Sequence, residues 1–549
     1  MLSRFDDISA RCQPDIRQIL RTAGTKQCTV HLEVIPRDPQ QKTYLDGEPR
    51  DGLENTIYPW GSLTKIVVAS ALSGIIDVYA ISDRPEHERY KPLREAWDKP
   101  FVECFNKVSE VKMPNLLGEP TVGELVIHFS GIPPVNHIIM APDGTPLMSK
   151  SDFPAVACQL TADTYGKPNS PRSRWEYSNG NTILIGLLIE AVSRKSLPEM
   201  VDELVFKQLG MQSAYMGTKP DNPNAAIPHE VSAEGAVPII PPEALSDPLC
   251  MAAMGVHSNI HDMATFFRSI VETFPSEGTN PKPTLMASLL KRFADAGLEA
   301  SYRYFPCGVY TTLDTTIPGS QSSNRMVSPH GESSNYTLGF EQPGKKPIEV
   351  YYHAGTINGF ECCVYIIKRY RTLLIVQSNT SGYVDATDHI SRLILQSLFV
   401  PDPHDSRYIE IPAMAELGAQ DRTRLLAEFT QSQSASDDHS AIPSERLVGT
   451  YTHDKYCQTF RITEREDKLW VYWQGGKEIG GHPVLSQEMQ LLRVNTQQVR
   501  VRVRYTVDRL HAWRDLDFMV IRDSNQQVTS LDRKDPNPPH NPIAFVRSS

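Results

Sequence analysis

The chain has 549 residues, of which 40% are hydrophobic and 22% charged, enough for one large catalytic domain and a small second domain. Its net charge of −10 and pI near 5.9 argue against nucleic acid as a partner, because phosphate binding needs a basic surface. Nine cysteines without framework spacing indicate reduced thiols, and no Cys/His cluster has zinc spacing, so we expect neither metal nor cofactor.

Targeting signals are not evident in the sequence. The first residues lack the apolar core of a signal peptide. We also expect no apolar stretch to reach membrane-spanning length. The sequence therefore predicts a cytoplasmic protein with no membrane partner.

Hydrophobic periodicity predicts the elements of the larger domain in chain order. They are a helix near residues 13–22, a strand over 28–35, a buried helix after Gly61, helices alternating with Pro-rich loops over 76–340, strands over 361–367 and 372–378, and a helix over 384–399. We expect the helical region to cover the functional site. The Pro-rich stretch 220–242 is interpreted as a loop.

Ser62 and Lys65 stand three residues apart at the start of the predicted buried helix. On a helix this spacing puts both side chains on one face, where the lysine amine can take the hydroxyl proton. Backbone N–H groups after Gly61 suit a developing oxyanion. The alternative is a helix-capping serine with a solvated lysine. The same spacing recurs at Ser109–Lys112 and Ser288–Lys291, but neither pair follows a turn into an apolar run.

Tyr177 and Asn179 form the only Tyr-x-Asn in the chain, just before a helix predicted from about Gly180 to Ser193. A phenol at this place can relay a proton to a leaving group. The amide can bind a substrate carbonyl or orient the lysine. The alternative is a packed tyrosine followed by an asparagine helix cap.

His353, Gly355 and Thr356 precede the strand predicted over residues 361–367. Small residues after the histidine leave room for a substrate along the strand edge, where backbone N–H groups can complete an oxyanion hole. The alternative is a structural histidine beside a strand.

Taken in order, these three elements resemble the serine β-lactamase and penicillin-binding-protein superfamily, particularly its class C and esterase branch. Residues 121–131, 206–211 and 254–262 are similar to further segments of that branch, and the resemblance spans roughly residues 25–400. It implies an α/β (α+β) domain in which helices flank an antiparallel sheet beside a mostly helical subdomain.

The resemblance also implies a role for each residue: Ser62 as the acylated nucleophile, Lys65 as its proton acceptor, Tyr177 as the general acid/base, Asn179 as a substrate or lysine contact, and His353, Gly355 and Thr356 as substrate-binding residues. The N–H groups of Ser62 and Thr356 would form the oxyanion hole. True β-lactamases carry a lysine at the position of His353. Because histidine is mostly neutral at pH 7, we expect a less anionic ester or amide rather than efficient β-lactam hydrolysis.

The C-terminal part of the chain is predicted to consist mainly of short strands. After a break at residues 401–403, a helix near 413–429 and a polar stretch over 431–441 lead to short strands from Leu447 onward. Valines at 499, 501 and 503 alternate with arginines, which predicts a small antiparallel barrel or sandwich. It resembles the lipocalin-like domain appended to some family members. We interpret the arginines as a solvated face rather than as a phosphate or acyl-carrier contact.

We therefore divide the chain into a catalytic domain of residues 1–405, a helix and linker over 406–445, and an all-β domain over 446–549. The predicted function is a serine hydrolase acting on a small-molecule ester, amide or thioester through a Ser62 acyl-enzyme. The first alternative is a cytosolic acyltransferase that tailors a natural product, with an acyl carrier or acyl acceptor as a further partner. The second is a repurposed or non-catalytic member whose pocket binds a ligand.

Overall fold

The computed structural model describes residues 8–35, 38–141, 143–165, 175–219, 222–232, 235–273, five short strands between 298 and 339, 350–399, 402, 404, 408–433, 437–438, 441–479, 482–485, 489–502, 517–533 and 543–547. Its α-helices are Ile8–Ala23, Thr64–Ser73, Phe101–Val108, Val122–Val126, Asn136–Ile139, Phe153–Tyr165, Asn179–Ser193, Leu197–Val201, Lys207–Leu209, Met251–Met254, Ile260–Val271, Ala386–Phe399, Ile411–Gln433 and Ser444–Leu447. Short 3-10 or π turns are Gly61–Leu63, Gly74–Tyr79, Pro85–Leu93, Ala96–Asp98, Asp202–Phe206, Glu243–Leu245, Lys368–Tyr370 and Asp454–Tyr456.

A nine-stranded antiparallel sheet forms the centre of the larger domain. Its strands lie in the order Glu48–Pro49, Gln40–Leu45, Gln27–Val34, Thr372–Ser378, Phe360–Ile367, Val350–Ile357, Tyr310–Thr312, Tyr302–Tyr304 and Leu298–Glu299. The strand Gln27–Val34, near the N-terminus, thus pairs with Thr372–Ser378, near the end of the domain. The antiparallel sheet predicted from the sequence is confirmed.

Helices cover both faces of this sheet. Ile8–Ala23 and Ala386–Phe399 pack together with one face of its strands in a single hydrophobic cluster. The helix Ile260–Val271 packs against the other face. Because neighbouring residues of a strand point in opposite directions, the adjacent Cys362 and Cys363 belong to the two different clusters. Both faces are buried, which explains why the strand Phe360–Ile367 is apolar almost throughout.

The region between residues 76 and 340 is less purely helical than predicted. His229–Ser232 and Gly235–Pro238 form an antiparallel pair inside the stretch 220–242 that was interpreted as a loop. Thr380–Ser381 adds to this pair as a parallel strand. Each of the two paired strands has only four residues, which is too short to show a periodic pattern in the sequence. Much of residues 274–340 lies outside the described part of the chain.

One apolar run among the described residues is long enough to cross a membrane, which corrects the prediction that none reaches that length. This run is Gly61–Tyr79, and 83% of its most apolar window is buried inside the protein. It contains Ser62 and Lys65 and packs against neighbouring helices. The run is therefore the core helix that the sequence predicted after Gly61.

The C-terminal strands close into a barrel. The eight barrel strands follow the order Gln458–Arg465, Gly449–His453, Ile543–Arg547, Val528–Arg533, Asp517–Arg522, Gln498–Arg502, Met489–Asn495 and Lys468–Ile479. The first of these also pairs with the last, which closes the ring, and His482–Leu485 adds outside it. Val499 and Val501 are buried, as the alternation predicted, whereas positions 503–505 lie outside the described residues.

Hydrogen bonds connect the barrel to the segment before it and to the larger domain. The helix near 413–429 extends over Ile411–Gln433, into the predicted polar linker. Beyond it, the carboxylate of Asp437 accepts from the guanidinium of buried Arg493, with its Oδ1 2.8 Å from Nε. Within the barrel, Nε2 of Gln458 donates to the carbonyl of Ile138 at 2.9 Å. The barrel thus contacts the larger domain through a buried hydrogen bond.

Candidate active site

Ser62 and Lys65 lie together at the start of the core helix. Ser62 belongs to the 3-10 turn Gly61–Leu63, which leads directly into the helix Thr64–Ser73. Nζ of Lys65 donates to Oγ of Ser62 at 3.0 Å and to the carbonyl of Ala253 at 3.0 Å. The Lys65 side chain is fully buried. This geometry excludes the alternative of a solvated lysine.

The other pairs with the same spacing differ. Nζ of Lys112 donates to the carbonyl oxygens of Asn106 and Ser109, at 2.7 Å each, on the exposed surface. Its partners are backbone groups rather than the serine hydroxyl. Ser288–Lys291 lies outside the described residues. Among the described residues, only the pair at Ser62 has its lysine buried and bonded to the hydroxyl.

Two glycines allow the turn Gly61–Leu63 to touch the neighbouring strand Val350–Ile357. Gly61 adopts a φ of 52°, which favours glycine, and a methyl group there would lie 2.9 Å from the backbone nitrogen of Thr356. A methyl group on Gly355 would lie 2.0 Å from the carbonyl oxygen of Trp60. The backbones before Ser62 and before Thr356 are thus nearly in contact. The backbone N–H groups of Ser62 and Thr356 can bind the same oxyanion only if the two backbones stay this close together.

Adding a methyl group at Gly355 is expected to impair both the site and the fold. The collision with Trp60 must push the turn carrying Ser62 away from the strand, so acylation slows and the free energy of unfolding falls by about 1–3 kcal/mol. Chemical denaturation and acylation kinetics of Gly355→Ala would measure both effects. Gly52→Ala is the matched control, because Gly52 is exposed and a methyl group there meets no atom within 4 Å. A wild-type acylation rate in Gly355→Ala would contradict the role given to this contact.

Tyr177 lies against the buried lysine. Nζ of Lys65 is 5.0 Å from the centre of the Tyr177 ring. The ring centroids of Tyr177 and His353 are 6.2 Å apart, in an edge-to-face arrangement. The structure therefore brings Ser62, Lys65, Tyr177 and His353 to one place, although 115 residues separate Ser62 from Tyr177 in the sequence.

Asn179 is the first residue of the helix Asn179–Ser193 and is buried. Its Nδ2 donates to Oδ1 of Asn136 at 2.6 Å. Its own Oδ1 has no hydrogen-bond partner among the described residues, which leaves an acceptor for an incoming group. The helix cap is the neighbouring Ser178, whose Oγ accepts from the N–H of Gly180. The alternative of an asparagine cap is therefore wrong.

His353 is buried on the strand Val350–Ile357 and makes a hydrogen bond with the backbone of Ser62. Burial lowers the pKa of His353 to about 3, and the nearby Lys65 charge acts in the same direction. The imidazole is therefore uncharged at pH 7. In this protein the strand beside Ser62 carries no permanent positive charge at position 353.

His128 lies in the segment 121–131 that is similar to the family, but the sequence predicted no role for it. It is buried, and its ring centroid lies 4.6 Å from that of Tyr177. Burial, together with Lys65 and His353, lowers its pKa well below the usual value. Asn136 and Ala253 were also missed. None of the three had a sequence signal, because a lone histidine, an asparagine and a backbone carbonyl acquire meaning only through packing.

Buried histidines are expected to make the fold less stable as the pH falls from about 6.5 to about 4. Burial lowers the pKa of His257 and His389 to about 4, and that of His353 to about 3. In this range the unfolded chain binds more protons than the folded one, so stability rises with pH. Burial raises the pKa of Asp385 to about 6, which opposes the trend, whereas the lowered pKa of His128 adds to it. Thermal melting across this range tests the prediction, and a Tm that rises on acidification would contradict it.

Comparison with known proteins adds a family and a set of relatives. The family model described as Beta-lactamase matches residues 44–398, a range that contains every site residue described above. The unguisins hydrolase ungD of Aspergillus violaceofuscus (strain CBS 115571) is 21% identical over 411 residues, covering 73% of this chain and 67% of that protein. The unguisins hydrolase ungD' of Aspergillus campestris (strain IBT 28561) is 21% identical over 428 residues, covering 76% of this chain and 70% of that protein.

Among solved structures, an octameric penicillin-binding protein homologue from Pyrococcus abyssi aligns with a TM-score of 0.51 and 17% identity. The alignment covers 95% of this chain and 97% of that one, so it extends beyond the range of the family model. At this level of identity the likeness concerns the fold alone.

Proposed function

Because the chain belongs to the Beta-lactamase family, whose members are serine hydrolases, we propose that it hydrolyses a small-molecule ester or amide through an acyl-enzyme on Ser62. The observation that carries this proposal is the 3.0 Å contact between Nζ of Lys65 and Oγ of Ser62. A hydroxyl at the start of a helix, within reach of a buried amine, has both a proton acceptor and a place for an oxyanion.

In the proposed mechanism, Ser62 attacks the substrate carbonyl while its hydroxyl proton passes to Lys65. This step needs the neutral amine, and full burial disfavours the charged form of an amine. The backbone N–H groups of Ser62 and Thr356 receive the oxyanion. Tyr177 gives a proton to the leaving group, whose departure leaves an acyl ester on Ser62, and water then hydrolyses this ester.

The neutral state of His353 supports a substrate with little negative charge. A lysine at this position would offer a cation to a carboxylate, whereas an imidazole with a pKa of about 3 does not. Asn179 supplies an acceptor oxygen that lacks a partner among the described residues. We therefore propose that the substrate presents a neutral carbonyl to the nucleophile and a hydrogen-bond donor to Asn179.

Hydrolysis rather than transfer is proposed as the second half-reaction. Two relatives bear the name unguisins hydrolase, which supports water as the acyl acceptor. At 21% identity we carry over the type of reaction and leave the substrate itself open. We also propose a cytoplasmic location, which rests on the free state of the cysteines among the described residues.

Intact-mass spectrometry after incubation with an activated short-chain ester tests the proposal. We expect a mass increase equal to the acyl group, located by peptide mapping on Ser62. Adding small alcohols or amines then distinguishes hydrolysis of the acyl-enzyme from transfer of the acyl group. Release at the rate seen in water alone supports a hydrolase, and faster release that yields the acylated acceptor identifies an acyltransferase. No adduct with esters, thioesters or a fluorophosphonate would favour a repurposed ligand-binding pocket.

A further inference from the structure

His128 holds the backbone on both sides of Tyr177. The N–H of Glu176 donates to the carbonyl of His128 at 2.9 Å. The N–H of Ser178 donates to Nδ1 of the same histidine at 3.2 Å. Between these two bonds, the Tyr177 ring lies against the imidazole, with centroids 4.6 Å apart and planes inclined by 34°. His128 thus binds the backbone of both neighbours of Tyr177 and packs its ring against the tyrosine ring.

The backbone of His128 is held in an unusual conformation. Its φ is 62°, in the left-handed region that non-glycine residues seldom occupy. This conformation lets the carbonyl and the ring of one residue reach the same short segment. A strained backbone persists only where the surrounding contacts compensate for its cost, and such positions concentrate at functional sites.

A chain of hydrogen bonds fixes the tautomer of His128. The N–H of Ile132 donates to Oγ of Ser130, at 3.1 Å, and this hydroxyl in turn donates to Oδ1 of Asn181. The amide of Asn181 therefore presents its Nδ2 to His128, 2.9 Å from Nδ1. Because Asn181 and Ser178 both donate to Nδ1, that atom carries no proton and the proton resides on Nε2.

We infer that His128 is a positioning residue that holds Tyr177 in place for proton transfer to the leaving group. This inference rests on the proposed function. Tyr177 lies in a segment without regular secondary structure, directly after residues 166–174, which are outside the described part of the chain. Two of the hydrogen bonds that hold this segment are made by His128, one on each side of Tyr177. Only the neutral His128 with its proton on Nε2 can accept both N–H groups at Nδ1. The hydrogen bonds from Ser130 to Asn181 and from Asn181 to His128 select this form and so contribute to the position of Tyr177.

The dependence of acylation on the leaving group tests this inference. An aryl ester departs with little help, whereas an alkyl ester of the same acid needs a proton from a general acid. Displacing Tyr177 must therefore slow the alkyl ester more than the aryl ester. We expect His128→Phe, which keeps a ring but loses the acceptor, to widen the aryl-to-alkyl ratio of acylation rates at least about tenfold. Tyr177→Phe is expected to widen it at least as much.

A second substitution acts at a distance from Tyr177. Asn181→Asp is nearly isosteric but cannot donate to Nδ1, so it favours the wrong tautomer of His128 and is expected to widen the ratio as well. His128→Asn keeps an acceptor oxygen and tolerates a positive φ, and we expect its ratio to remain near that of wild type.

His87→Phe is the matched control, since it alters a histidine stacked on Tyr79 in the turn Pro85–Leu93. Thermal melting of every variant confirms that it is folded.

The outcomes separate this inference from the proposed function. Wild-type ratios in folded His128→Phe or folded Asn181→Asp, with a widened ratio in Tyr177→Phe, would overturn the positioning role alone. An unchanged ratio in Tyr177→Phe would overturn the role of Tyr177 and this inference together. Absence of acylation in the wild-type protein would overturn the proposed function itself. If His128→Phe does not fold, Asn181→Asp still decides the question.

Discussion

Replacing Ser62 by alanine is expected to lower kcat/KM for an activated ester by at least about 1,000-fold and to abolish the acyl adduct. The substitution removes the atom that bonds to the acyl carbon, the hydroxyl oxygen that lies 3.0 Å from Nζ of Lys65. Ser62 is half-buried and caps no helix in the structure, so the loss should occur without a fall in stability.

The chain offers its own control for this experiment. Ser109→Ala alters a serine with the same spacing to a lysine, but Lys112 contacts its carbonyl rather than its hydroxyl. We expect wild-type activity and a normal adduct in this variant. An adduct that persists in Ser62→Ala would show that another residue is the nucleophile. Activity that persists without any adduct would indicate chemistry without an acyl-enzyme.

The sequence was most informative where chemistry and local structure coincide. Ser62 and Lys65 were recognisable because a turn, a serine and a buried helix follow one another within a few residues. The strands 361–367 and 372–378 and the C-terminal barrel also followed from periodicity, and the β-lactamase-like α/β fold predicted from the ordered motifs is confirmed. In each case the signal is local, so a single sequence is enough to find it.

What the sequence did not predict depends on distant contacts. The amide of Asn179 finds its partner in Asn136, and the position of Tyr177 depends on His128, about 50 residues away. The strand pair between 229 and 238 is too short for a periodic pattern. Likewise, the uncharged state of His353 follows from burial rather than from residue type. These features exist only once the chain has folded.

Lys65→Met is expected to slow acylation of Ser62 by about 100–10,000-fold, the range that general base catalysis supplies. The substitution removes the amine that donates a hydrogen bond to Oγ of Ser62 at 3.0 Å. Because methionine is apolar and of similar length, it suits a fully buried position, so stability should hold or increase. Stopped-flow acylation with a chromogenic ester, alongside thermal melting, measures the two effects separately.

Lys65→Arg then separates proton transfer from charge. A guanidinium keeps a positive charge and donors near Oγ of Ser62, but it cannot lose its proton in a protein. If Lys65 accepts the serine proton, the arginine variant should be as slow as Lys65→Met. If Lys65 acts only through its charge or by orienting the hydroxyl, Lys65→Arg should keep most of the acylation rate. The second result would reassign the base, and Tyr177, whose ring centre lies 5.0 Å from Nζ of Lys65, is the group best placed to take that role.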